Sequence, residues 1–242
     1  MARTDERDQR RSDPGAVHPV DQVLPPAKLA VYGFQHVLAF YAGAVIVPIL
    51  LAGAIGLTDD QLIALIDKDR QPSGLLADTP DPEFRTSESC NLRLTDRINQ
   101  QVERKINGLM GIQPEHGETI QGQRYAVGQQ FKEHHDFFYK SEPYWPAQER
   151  EGGQRTWTAM IFLNEPEAGG QTAFPKAGIQ VTPRTGNLLA WNNLDEYGEP
   201  NIYSLHTGRP VGGGVKYVVT KWYRERPWGW YASHGVKPAE PY

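Results

Sequence analysis

The chain is poor in cysteine and has no excess of positive charge. Cys90 is the only cysteine among 242 residues, which excludes a disulfide within the chain and a zinc site built from its thiolates. The 25 lysines and arginines are outnumbered by 29 acidic residues, giving a net charge of -4. This balance argues against nucleic acid as the main partner. Because the chain has only one cysteine, any metal site must use mainly His, Asp or Glu.

Long apolar runs are scarce, with one exception near the N-terminus. Residues 1–30 mix arginines with acids and prolines, which predicts a disordered charged tail. Residues 31–57 carry no formal charge when His36 is neutral, and such a helix is long enough to span about 30 Å of hydrocarbon. We therefore predict an apolar helical segment that is a candidate transmembrane span. A buried hairpin or helix pair is the alternative.

Two helices are predicted after this segment. Thr58 begins a capping-box pattern ahead of LIALI. A second helix is predicted from a cap at Thr95 to a stop at Gly111. The residues predicted to line its buried face are Ile98, Val102, Ile106 and Leu109.

From about Thr119, glycine and proline divide the chain into short β-rich runs. The runs are TIQGQRYAV, QRTWTAMIFLN, GIQV, GNLLAWNN and GVKYVVTKWY. No long helical periodicity interrupts them. The pattern predicts an antiparallel barrel or sandwich with helices packed outside.

The stretch FKEHHDFFYK holds the most distinctive polar residues. Alternate side chains of a strand share a face, so His134 and Asp136 are predicted to converge while His135 points away. Imidazole nitrogen and carboxylate oxygen suit Fe(II), which is bound by two histidines and one carboxylate in many oxygenases. His-x-Asp alone is a weak motif, so its meaning depends on a third ligand.

His116 and His206 are the realistic third ligands. His206 is favoured because it ends one β-run, and Lys216 follows ten residues later on a basic strand. A keto acid such as 2-oxoglutarate can chelate iron at one end, while a buried lysine holds its distant carboxylate. The order of these residues predicts an iron and 2-oxoglutarate site. His135 is predicted to be a supporting or surface histidine, and His116 a loop residue.

Five segments between Arg85 and Trp222 carry a more specific pattern. They are RTSES, GQRYAVGQQFKEHHDFF, GGQRTWTAMIFLN, GGQTAFP and HTGRPVGGGVKYVVTKW. Together they resemble the prolyl 4-hydroxylase branch of the Fe(II) and 2-oxoglutarate dioxygenases. The resemblance implies an α+β, mainly β fold, namely a double-stranded β-helix (jelly-roll) barrel with flanking helices. It places the domain at residues 58–231, before a C-terminal tail at 232–242.

The same resemblance implies roles for nine residues of the site. The positions that match the iron ligands are His134, Asp136 and His206. Those that match groups binding 2-oxoglutarate are Tyr125, Thr172 and Lys216. Those that match the substrate groove are Arg85, Arg155 and Trp222. Ordinary packing or local ion pairing is the alternative for these last three.

The implied reaction consumes O2 and 2-oxoglutarate, releases succinate and CO2, and hydroxylates a peptidyl proline presented in an extended or polyproline II segment. Ascorbate is the expected supporting reductant. The first alternative is a catalytically impaired fusion whose apolar segment is a membrane anchor or an interaction element. The second is a sugar-binding or cupin-like barrel, which the spacing of Lys216 disfavours.

Residues 18–57 resemble the start and first membrane helix of the uracil and xanthine permeases. The match stops there, and no later segment is apolar enough for a second span, so transport is excluded as the activity. The seam near residues 57–61 replaces the leading strand expected of the oxygenase family. Iron(II) and 2-oxoglutarate suit the cytoplasm, so we predict a cytoplasmic catalytic domain, for which residues 31–57 are a candidate element of membrane association.

Overall fold

The computed structural model describes residues 59–76 and 81–228. The predicted charged tail, the apolar segment at 31–57 and the C-terminal tail at 232–242 lie outside the described residues. Within those two ranges, no helix combines the length and the apolar content needed to cross a bilayer.

Three α-helices occur in the described ranges: α1 (Asp59–Asp69), α2 (Arg97–Met110) and α3 (Trp145–Arg150). The predicted stop of α2 is confirmed, because Gly111 adopts a left-handed φ of 64° and its N–H donates to Asn107 O. The predicted cap is wrong, because Asp96 and not Thr95 precedes the first turn.

The predicted buried face of α2 is correct for all but its last member. Val102 and Ile106 are buried, whereas Leu109 is 37% exposed. A helical stripe continues from Ile106 at i+4 as well as at i+3, and here it continues through Met110, which packs against the core.

Twelve strands are formed by the described residues. In chain order they are β1 (Gln71–Pro72), β2 (Glu88–Asn91), β3 (Gln121–Tyr125), β4 (Phe131–His134), β5 (Arg155–Phe162), β6 (Ala168–Gly169), β7 (Thr172–Phe174), β8 (Ile179–Val181), β9 (Leu188–Asn192), β10 (His206–Gly208), β11 (Val211–Gly213) and β12 (Lys216–Arg224). Each of the five predicted β-runs coincides with one of these strands, although β12 extends one residue further, to Arg224, so that prediction is confirmed.

The strands form two larger sheets and one pair. The six-stranded sheet has the order β1-β2-β3-β12-β5-β9, the four-stranded sheet has the order β4-β10-β7-β8, and β11 pairs with β6. Neighbouring strands run antiparallel. Among the described residues no strand precedes α1, and the short β1 forms the edge of the six-stranded sheet.

Strand alternation divides the core into two clusters. Met160, Phe162 and Val218 face the four-stranded sheet and pack with Phe174 and Val211. Their sequence neighbours on β5 and β12 face the other way and pack against α1 and α2. The two sheets therefore enclose one cluster, and the helices cover the outer face of the larger sheet. This arrangement is compatible with the predicted jelly roll.

Candidate metal centre

Two neighbouring strands of the smaller sheet bring the predicted triad together. His134 is the last residue of β4, His206 is the first residue of β10, and the two are direct partners in the antiparallel register. Asp136 lies beyond β4, in a bend. Strand alternation predicted that Asp136 would converge with His134, and the two side chains do converge. The explanation was incomplete, because at Asp136 the chain has already left the sheet. One donor atom from each of the three residues lies within 4.8 Å of the others.

Each histidine of the triad has its tautomer fixed by the backbone. His134 Nδ1 lies 2.7 Å from Lys132 O, and His206 Nδ1 lies 2.9 Å from Ser204 O. A carbonyl oxygen only accepts hydrogen bonds, so both Nδ1 atoms must carry the proton and donate it. Both Nε2 atoms lie near the carboxylate of Asp136, and in a neutral ring with the proton on Nδ1 the Nε2 atom keeps a free lone pair. This is the state in which imidazole binds a metal.

The charges of the triad also suit metal binding. Burial, reinforced by the nearby His206, lowers the pKa of His134 to about 3, so its ring is neutral at pH 7. Burial by itself would raise the pKa of Asp136. His206, His134 and Arg155, together with the Thr158 hydroxyl, outweigh that effect and lower it. Asp136 is therefore ionised where His134 is neutral.

The two distances from the histidines to the Asp136 carboxylate are compatible with one shared ion. The Nε2 atom of His134 lies 3.9 Å from Asp136 Oδ1, and that of His206 lies 3.8 Å from Asp136 Oδ2. Donors that share an ion at bond lengths of about 2.0–2.2 Å are at most about 4.4 Å apart. Both distances fall within that limit.

Aromatic rings surround the two histidines of the triad. Phe131 stacks on His134 with ring centroids 3.5 Å apart. Trp191 and Phe174 lie on His206, at 4.7 and 5.6 Å. These three aromatic side chains all belong to or pack against the cluster between the sheets. The triad therefore faces the interior of the barrel.

The other two candidate histidines lie outside the triad, as predicted. His135 turns away, with Nδ1 3.0 Å from the hydroxyl of Tyr139. His116 ends a short 3-10 turn, and its Nδ1 donates to Arg224 O.

Lys216 is a buried cation whose surroundings are aromatic. It is 2% exposed and stands opposite Tyr125 in the pairing of β12 with β3. Its Nζ lies 5.2 Å from the ring centre of Tyr125 and 5.5 Å from that of Phe162. Burial lowers the pKa of Lys216 to about 7. Among the described residues no carboxylate forms an ion pair with it.

The two hydroxyl-bearing residues predicted beside Lys216 are both buried. Tyr125 belongs to the cluster between the sheets, and its hydroxyl donates to Gln123 Oε1 at 2.9 Å. Thr172 is 3% exposed on β7 and pairs with Gly208 of β10. Their roles toward 2-oxoglutarate stay a prediction.

The three predicted substrate residues have different surroundings. Arg155 donates two hydrogen bonds to Glu118, at 2.7 and 2.8 Å, and its guanidinium lies on the ring of Trp222 at 4.2 Å. Trp222 is buried. Arg85 lies over Phe131 at 4.7 Å and donates to Gln121 Oε1. Local ion pairing, the alternative weighed for Arg155, is therefore present in the structure.

Sequence reasoning missed three polar residues that hydrogen-bond to the site residues or to their partners, namely Glu118, Thr158 and Asn193. Glu118 binds both Arg155 and Arg224. Thr158 donates to Asp136, and Asn193 donates to Thr158. One signal in the sequence could have found Thr158. Alternation along β5 places it on the same face as Met160, which faces the interior between the sheets.

The arrangement consists of two histidines and one carboxylate set in an aromatic barrel interior. This donor set is that of the non-haem Fe(II) oxygenases.

Comparison with known proteins agrees with that class. Residues 120–224 match the family model of the 2OG-Fe(II) oxygenase superfamily. The alpha-1 subunit of prolyl 4-hydroxylase from Rattus norvegicus is 34% identical over 145 residues, which are 60% of this chain and 27% of the relative. Probable prolyl 4-hydroxylase 8 from Arabidopsis thaliana is 32% identical over 163 residues, covering 59% of this chain and 54% of the relative.

A solved structure shows the same relationship. The viral collagen prolyl hydroxylase of Paramecium bursaria Chlorella virus-1, in its 2OG complex, has 25% identity and a TM-score of 0.54, covering 69% of this chain and 89% of that chain. This chain spans 27% and 54% of the two curated relatives. Over residues 120–224, the chain is similar to the 2OG-Fe(II) oxygenase domain of prolyl 4-hydroxylases.

Proposed function

We propose that this protein is an Fe(II)- and 2-oxoglutarate-dependent dioxygenase that hydroxylates a peptidyl proline. The observation that carries the proposal is the buried Lys216, which has no carboxylate partner within residues 59–76 and 81–228 and lies against the same aromatic cluster as His206. Tyr125 and Phe162, beneath Lys216, belong to the cluster that also contains Phe174 and Trp191, beside His206. A lone buried cation is unfavourable unless a ligand supplies the opposite charge.

His134, Asp136 and His206 are the proposed iron ligands. The two histidines are held through Nδ1, so Nε2 is presented to the metal without a proton. Three protein ligands leave coordination positions open for a chelating keto acid and O2. Bound ferrous iron would supply the oxygen activation that hydroxylates an unactivated C–H bond.

Lys216 is the proposed anchor for the distal carboxylate of 2-oxoglutarate, with Tyr125 and Thr172 beside it. A charge-assisted hydrogen bond to the ammonium group orients the cosubstrate. The aromatic rings on both sides exclude water from that contact. Because burial lowers the pKa of Lys216 to about 7, an incoming carboxylate also favours uptake of the proton that completes the ion pair.

A proline-containing peptide is the proposed substrate, because the two curated relatives are named as prolyl 4-hydroxylases and the solved neighbour as a collagen prolyl hydroxylase. Arg85, Arg155 and Trp222 are the proposed substrate-groove residues. Since Arg155 is engaged by Glu118, its proposed contribution is a fixed planar surface beside Trp222. Ascorbate is proposed as the reductant that maintains ferrous iron.

Turnover of 2-oxoglutarate tests the proposal. The full chain is incubated with Fe(II), 2-oxoglutarate, ascorbate and a set of proline-rich peptides, and succinate is measured beside peptide mass. We expect succinate release that depends on both metal and peptide, with a gain of one oxygen on proline. Asp136→Ala should abolish both signals and His135→Ala should retain them. Equal activity of Asp136→Ala and the unchanged protein would contradict the ligand assignment.

A further inference from the structure

The carboxylate of Asp136 accepts a hydrogen bond from a hydroxyl group of the larger sheet. Thr158 Oγ1 lies 2.7 Å from Asp136 Oδ2, and Thr158 is 0% exposed. An ionised carboxylate only accepts hydrogen bonds, so the hydroxyl proton must point toward Asp136. This bond joins the bend after β4 to the inner face of β5.

A second buried side chain fixes the direction of that hydroxyl. Asn193 Nδ2 lies 2.9 Å from Thr158 Oγ1, and Asn193 is also 0% exposed. Because the single proton of Thr158 is already donated, its oxygen can only accept from the amide. Asn193 is itself held by the backbone, since its N–H donates to Thr156 O and its carbonyl accepts from the N–H of Asn201.

Packing alone does not account for an amide at position 193. Its Oδ1 is buried and finds no hydrogen-bond partner among the described residues. Such an atom lowers stability compared with an apolar side chain of the same size. The favourable interaction of this amide is therefore the hydrogen bond that its Nδ2 donates to Thr158.

We propose that Thr158 and Asn193 are positioning residues, acting in series, that hold the Asp136 carboxylate in the orientation in which it faces both histidines of the triad. The inference deepens the proposed function and rests on metal binding by the triad. Oδ2 accepts the hydrogen bond from Thr158 and lies 3.8 Å from His206 Nε2, while Oδ1 lies 3.9 Å from His134 Nε2. The bond from Thr158 therefore sets the direction of the whole carboxylate. Groups that hydrogen-bond to metal ligands orient them and tune their basicity, so their loss weakens binding by about 10- to 100-fold.

Binding of Co(II), a spectroscopic substitute for Fe(II), tests the proposal without turnover. The full chain is titrated with Co(II), recording the dissociation constant and the visible absorption bands that report ligand geometry. We expect Thr158→Val to weaken binding about 10- to 100-fold and to change the bands. Thr158→Ser, which keeps the hydroxyl, should restore both. Thr156→Val is the matched control, because Thr156 on the same strand donates to Tyr223 O instead.

Asn193→Leu separates positioning from structural support. We expect a smaller loss of Co(II) affinity than in Thr158→Val, with no loss of thermal midpoint, because the variant also removes the unpartnered buried carbonyl oxygen. In the double variant the two effects should not add, since Asn193 acts through Thr158.

Wild-type Co(II) affinity in Thr158→Val and Asn193→Leu would overturn the inference while leaving the proposed function intact. Failure of the unchanged protein to bind Co(II) would instead overturn the proposed triad. If Thr158→Val does not fold, weaker binding by folded Asn193→Leu supports the inference and unchanged binding overturns it.

Discussion

Replacing Lys216 by methionine should stabilise the protein while removing its proposed anchor for 2-oxoglutarate. Lys216 is buried over two aromatic rings and has no ion-pair partner among the described residues. Burial lowers its pKa from 10.5 to about 7. Methionine has a similar length and no charge, so it fills the same space without that penalty.

The size of the effect follows from the shift in pKa. Each unit corresponds to about 1.4 kcal/mol, so the shift of the Lys216 pKa from 10.5 to about 7 amounts to a cost on the order of 5 kcal/mol. The full cost is present below pH 7, where the lysine is protonated in both the folded and the unfolded chain. Between about pH 7 and 10 the unfolded chain binds more protons, so wild-type stability rises with pH relative to Lys216→Met.

Urea unfolding of the metal-free, 2-oxoglutarate-free protein at several pH values measures this difference. We expect Lys216→Met to be more stable than wild type at pH 7, with the advantage shrinking as the pH approaches 10. Lys221→Met is the matched control on the same strand, because Lys221 forms a buried ion pair with Glu103. Loss of one member of such a pair is destabilising. A difference between wild type and Lys216→Met that does not change with pH would refute the reasoning.

Three further predictions concern the site and its support. His134→Ala should lose Co(II) binding measured by absorption titration, whereas His135→Ala should retain it; equal losses would contradict the assignment. Glu118→Gln should lower the free energy of unfolding by roughly 3–5 kcal/mol in urea, because a buried guanidinium loses its countercharge, and an unchanged value would argue against that ion pair. Calorimetry should show that the affinity for 2-oxoglutarate is nearly constant below pH 7 and falls by up to about tenfold per pH unit above it, because binding requires protonated Lys216. An affinity that rises above pH 7 would exclude Lys216 as the anchor.

Local patterns in the sequence predicted the elements and the triad well. Side chains of β5 and β12 alternate between two faces. One face packs against the other sheet, and the opposite face packs against the helices. Lys216 was predicted from its spacing after His206, and the structure places it inside the barrel. The stop of α2 followed from Gly111, because a left-handed residue is most easily supplied by glycine.

The parts that sequence reasoning missed depend on contacts between distant segments. Glu118 pairs with Arg155 across 37 positions of the chain, and Thr158 reaches Asp136 across 22. No periodicity encodes such a pairing, since it arises only after the sheets pack. The errors at Thr95 and Leu109 have a local origin, because each position had a neighbour of comparable suitability, Asp96 and Met110.

The most direct test of the account is mass spectrometry of a proline-rich peptide incubated with the full chain, Fe(II), O2 and 2-oxoglutarate. The account predicts one added oxygen on proline, succinate formed in matching amount, and loss of both signals in Asp136→Ala. Succinate and hydroxyproline formation by Asp136→Ala at the wild-type rate would contradict it.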